Sequence, residues 1–73
     1  MTGFSKSLRL LEQTRRFTID QTPGGWEVRE ERNNKVVRQA LYQDWHRVER
    51  ARRSFVTKLN DLTRQGWAEF TPQ

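Results

Sequence analysis

The residues whose types and spacing could do chemistry here are basic and aromatic. The chain has 73 residues, with 14 Lys+Arg against 9 Asp+Glu, a net charge of +5, and 11 of the 14 cations are arginine. A basic excess favours polyanionic partners, and the planar guanidinium fork can donate two hydrogen bonds at once to a phosphate. The cations are spread along the chain, and only Arg47–Arg53 is locally dense, with Arg47, Arg50, Arg52 and Arg53 against Glu49. Arg16, Arg29 and Arg38 lie in segments of alternating polarity, and Tyr42 follows Arg38 closely. Aromatic rings among cations are the means by which single-strand binders stack unpaired bases. The candidate nucleic-acid contacts are therefore Arg16, Arg29, Arg38, Tyr42, Arg47, Arg50 and Arg53.

Catalytic constellations are thin. Nucleophilic catalysis requires a hydroxyl or thiol beside a base that a third group orients. The chain has no cysteine and one histidine, His46, beside Trp45. Metal sites need three or four ligands in register, and one histidine with scattered acids does not supply them. The Gly24-Gly25 pair lacks the lysine and following helix of a phosphate loop. Glu27, Glu30 and Glu31 sit among cations in a strand-like segment, where cross-strand ion pairs are the ordinary outcome. The expectation is a protein that is not an enzyme, with no catalytic residue, metal or cofactor.

Three short segments and one long one must position the cations. Phe17 and Ile19 alternate with polar residues over Arg15–Gln21, and Trp26 and Val28 do so over Trp26–Arg32. That is the period of half-buried strands. Between them, Thr22-Pro23-Gly24-Gly25 supplies a turn, and Asn33-Asn34 supplies a second, since asparagine tolerates the left-handed region. Lys35–Tyr42 reads as the third strand. Its register is open: Val37, Gln39 and Leu41 form one face, Val36, Arg38, Ala40 and Tyr42 the other, and a slip of one residue exchanges them. With Val37 and Leu41 facing in, Arg38 and Tyr42 join Arg16 and Arg29 on an outer basic and aromatic strip; the other register removes it.

From Asp44 the period changes to that of a helix. Trp45, Val48, Ala51, Phe55, Val56, Leu59 and Leu62 fall in a stripe about 140° wide, with His46, Arg47, Arg50, Arg53, Thr57 and Asp61 opposite. Asp44 is a competent N-cap, and Gly66 a stop signal that lets Trp67 pack back on Leu62. Arg52 falls inside the stripe at about 340° from Trp45, where an arginine must reach water or a carboxylate. Glu30, in phase with Trp26 and Val28, is its expected partner.

At the N-terminus, Phe4, Leu8 and Leu11 at i, i+4 and i+7 have helical spacing over Ser5–Thr14. The expected fold is α+β, a three-stranded antiparallel β-meander covered by one long C-terminal amphipathic helix (β-β-β-α). Residues 1–14 form a short helical N-terminal extension, 15–66 a single domain, and 67–73 a C-terminal tail that Phe70 pins. That element order resembles the arm-type DNA-binding domains of phage integrases, in which the sheet face enters the major groove. Against a sheet-face contact, Asp20, Glu27 and Glu31 share that outer face.

Two functions from different classes follow. One is a small basic module binding DNA or RNA through the sheet face or the basic helix face. The other is a small interaction or regulatory subunit that docks on a protein partner through exposed aromatics and the charged helix face. A homodimer is a further expectation, because a helix longer than the strands would leave Phe55, Leu59 or Leu62 exposed at an overhang. No run approaches the ~18–20 apolar residues of a membrane span, and no signal peptide is legible at the N-terminus. With cysteine absent, a cytoplasmic location without membrane partners is expected.

Overall fold

The computed structural model describes residues 3–71. The elements run β1 (Phe4–Leu10), β2 (Gln13–Thr22), β3 (Gly25–Arg32), β4 (Lys35–Tyr42), α1 (Trp45–Arg64) and β5 (Ala68–Phe70). All five strands join one antiparallel sheet in the order β4-β3-β2-β1-β5, with α1 lying across one face. The α+β class stands. The three-stranded meander with a helical extension does not, because residues 4–10 and 68–70 each add a strand.

The N-terminal segment shows why its period misled. Phe4, Leu8 and Leu10 are separated by even numbers of residues, so a strand also places them on one face. Phe4 pairs with Ile19 and Leu8 with Arg15, which aligns that face with the core face of β2. Leu11 alone breaks the parity; it occupies the β1–β2 turn at φ 56 and is 87% exposed. A lone helix over residues 5–14 is marginal, whereas as a strand the segment pairs with β2 from Phe4 to Leu10 and with β5 from Ser7 to Arg9.

The C-terminal strand depends on how α1 stops. Gly66 has φ 105, and its N–H donates to the Thr63 carbonyl at 3.1 Å while the Trp67 N–H donates to that of Leu62 at 3.0 Å. These two bonds define a Schellman cap, which turns the chain back toward the sheet. Trp67 enters the core, and Ala68–Phe70 then pairs with β1, Ser7 opposite Phe70. Phe70 is held on the outer face, where the Arg9 guanidinium stands 4.5 Å from its ring centre.

The central hairpins follow the turn chemistry. Asn33 and Asn34 take φ 53 and 67, the paired left-handed conformation that suits the twist of a tight hairpin. Gly25 closes the other turn at φ 136, where an added Cβ would stand 2.6 Å from the Tyr42 carbonyl oxygen. In β4 the register shifts by one between Glu30 and Glu31, leaving Val37 as the extra residue of a bulge. Beyond the bulge, Arg38, Ala40 and Tyr42 lie opposite Glu30, Val28 and Trp26, on the face that carries the helix.

The core forms where Leu8, Phe17, Ile19 and Val28 of the sheet meet Val48, Phe55 and Leu62 of α1, closed by Trp67. The buried helix positions recur every seven residues, and the flanking Ala51 and Leu59 are partly buried. The stripe is thus narrower than the wheel suggests and rotated away from Trp45 and Val56, which remain 38% and 40% exposed. Trp45 still packs on Trp26, ring centres 4.9 Å apart. Phe55 and Leu62 are covered by the sheet, so the expected overhang of apolar residues is not formed there.

Rotation of the helix also decides the fate of Arg52. It pairs with Glu49 of the same helix at 3.9 Å, and its side chain is 47% exposed. Glu30 is on the inner face as expected, but its partners are Arg15 at 2.7 Å and Lys58 at 3.1 Å. The Arg52–Glu30 pairing is therefore replaced: Lys58, on the opposite flank of the stripe, reaches Glu30 instead.

Asp44 accepts a hydrogen bond from the His46 N–H at 3.0 Å, satisfying one of the donors left open at the start of α1. Asp44→Ala is expected to cost about 1 kcal/mol. In a chain of this size that lowers the thermal midpoint by about 4–8 °C, measurable by circular dichroism. No helix among the described residues is long and apolar enough to cross a membrane.

Candidate anion-binding cleft

Helix α1 covers the middle of the sheet and leaves a gap over β4. A cleft of about 390 Å³ opens there, walled by Arg38, Ala40 and Tyr42 of β4 and by Arg47, Arg50 and Ser54 of α1, above Val28, Ala51 and Phe55. Two features of the sequence produce it. The bulge at Val37 sets the register in which Arg38 and Tyr42 turn toward the helix, and the rotated stripe brings Arg47 and Arg50 to the flank facing β4. Four of the seven candidate contacts thus line one cleft.

Among the described residues Glu30 is the only acid in that lining, and it is already neutralised. Both of its carboxylate oxygens are engaged, one by Arg15 and the other by Lys58. Burial pushes its pKa up, but the hydrogen bonds and charges of Lys58 and Arg15 more than reverse this and hold it below the usual glutamate value. Among the described residues no carboxylate forms an ion pair with Arg38, Arg47 or Arg50. Their exposed guanidinium groups leave the cleft positively charged.

The other three candidates lie elsewhere. Arg16 and Arg29 are on the outer face of the sheet, the face opposite the helix. Arg16 donates to the Ser7 hydroxyl at 3.3 Å, and Arg29 is held by Glu27 at 2.6 Å. That hydrogen bond raises the Arg29 pKa and, with a second bond from Gln39, lowers that of Glu27. The strand pattern places Arg9, Arg16 and Arg29 on this face together with Asp20, Glu27 and Glu31, so its strand charges balance. The outer strip in which Arg38 and Tyr42 join Arg16 and Arg29 is not formed, because the register turns both toward the helix. Arg53 is exposed on the solvent side of α1, away from the cleft.

Sequence reasoning missed Ser54, which becomes a wall residue only once the rotation of the helix is known, and it read Val28, Ala51 and Phe55 as core without a place in a site. His46 is exposed and contributes nothing to the cleft. Compared with family models, curated proteins and solved structures, the chain matches none.

Proposed function

We propose that the protein is a small, non-enzymatic module that binds nucleic acid, and that it does so in the cleft between β4 and α1. The observation that supports this is the convergence of Arg38, Arg47 and Arg50, none paired with a carboxylate among the described residues, around a single neutralised acid. Phosphate contacts release counterions, so affinity falls with salt at a log-log slope near −0.9 per contact on duplex DNA and about −0.7 on single strands. Replacing Arg38, Arg47 or Arg50 with alanine is expected to flatten that slope by about one contact each. Arg16→Ala and Arg29→Ala should leave it nearly unchanged, since both groups already have partners in a charge-balanced face. Slopes that respond to the outer-face variants and ignore the cleft variants would reverse the assignment.

A second reading, docking on a protein, draws support from the free edge of the sheet. Val36, Val37 and Leu41 of β4 are 50%, 54% and 57% exposed, and among the described residues only one side of this strand is paired. Unpaired strand edges recruit other strands, including those of a second copy. Analytical ultracentrifugation over a wide concentration range, with Leu41→Lys as the control, tests for self-association. Failure to bind nucleic acid together with association abolished by Leu41→Lys would favour this reading.

A further inference from the structure

We propose that the cleft receives an unpaired nucleotide of a single strand and not the backbone or groove of a duplex. This rests on the nucleic-acid reading above and specifies its substrate. The shape of the site is the first argument. Duplex grooves are read by convex elements, a helix or a two-stranded ribbon entering a groove about 12 Å wide. Here Arg38, Arg47 and Arg50, without a carboxylate partner among the described residues, surround a concavity, and its volume of about 390 Å³ lies in the range of sites that enclose one small molecule.

The floor is the second argument. Ala51 and the edges of the nearly buried Val28 and Phe55 make the bottom of the cleft apolar, with Ala40 in the wall beside them, below the charged rim. A phosphate backbone has nothing to place against such a floor. An unpaired base does, because its flat faces are apolar, and its own phosphate then reaches the level of the arginines. Half-buried Tyr42 adds a ring in the same wall, opposite Trp26 in the strand register. Base–aromatic stacking tolerates every base, so this arrangement implies little sequence preference.

Fluorescence anisotropy with the full chain separates the two levels of the assignment. The probes are oligo-dT and oligo-U of about 12 nucleotides, within the usual length of a single-strand site, and a duplex of equal length. At one low salt concentration at least one single strand is expected to bind about 10-fold or more tighter than the duplex. Tyr42→Leu, which keeps an apolar body and removes the ring, should weaken single-strand binding by about 5- to 150-fold, the range that loss of one stacked base represents. It should do so without changing the salt slope, because the ring carries no charge, and Tyr42→Phe should restore affinity. Circular dichroism of each variant confirms that the fold is retained. Duplex binding equal to or tighter than both single strands, or unchanged single-strand affinity in folded Tyr42→Leu, would overturn the single-nucleotide assignment while leaving the polyanion reading in place. No binding to any of the three probes would overturn both.

Discussion

Phe55→Ala is expected to unfold most of the protein at room temperature. The Phe55 ring packs on those of Phe17 and Phe4, with ring centres 5.0 and 6.1 Å away, and the residue is 5% exposed. Phe17 on β2 is fully buried beneath it, so the contact joins the centre of the helix to the centre of the sheet. Truncating a buried phenylalanine costs about 3–5 kcal/mol, through lost burial and the cavity left behind. A single core in a chain this small supplies about the same amount in total. Far-ultraviolet circular dichroism and urea titration would check it; a midpoint near that of the unaltered chain would mean that α1 is held by something other than this stripe. Val56→Ala, at a 40% exposed position, is the contrasting variant and should change stability little.

Glu30→Gln is expected to be the most damaging polar substitution. The Glu30 side chain is 7% exposed, and that of Arg15 is 15% exposed. Removing the carboxylate charge leaves a largely buried guanidinium without its counter-charge, a loss of about 3–5 kcal/mol when one member of a buried pair is removed. The lower end applies, because Lys58 is 38% exposed and can turn to water. The same pair gives stability a definite pH dependence. A carboxyl whose pKa is lower folded than unfolded stabilises the fold above its unfolded value, near 4.5, and loses that contribution as pH falls through the lower folded value. Urea midpoints of the two proteins should therefore differ most at neutral pH and converge only as pH falls below the ordinary glutamate range, through the lowered folded value. A gap that stays constant through this range would show that the Glu30 charge is not what matters.

The parts of the fold legible in the sequence were those with local chemistry. Asn33-Asn34 fixed a hairpin because both residues accept positive φ, and Asp44 and Gly66 marked the limits of α1 because helix ends need an acceptor and a left-handed residue. Trp26, Val28 and Glu30 could be assigned to one face because β3 has no irregularity before Glu31. What escaped depended on neighbours. β1 has a pattern compatible with two periods, and only the presence of β2 selects one. β5 is three residues long, too short to have a period at all. The β4 register turns on a bulge with no glycine or proline to announce it, so the sequence left open which side Arg38 and Tyr42 would take. The cleft inherits that ambiguity. Its arginines were legible as candidates one by one, but their convergence needed both the bulge and the rotation of a helix whose buried stripe is narrower than its apolar pattern.

The pairing of β1 with β5 has a practical consequence for tethering. Both strands lie toward one edge of the sheet, while β4 and the cleft belong to the other, three strand spacings or about 14 Å from β1 and four or about 19 Å from β5. A linker leaving from before Phe4 or after Phe70 therefore departs from the side remote from the arginines. Immobilisation through either end, or fusion to a carrier at either end, should leave the cleft facing solution with its access unchanged. Attachment through Lys35, at the start of β4, would instead place the support beside the binding edge.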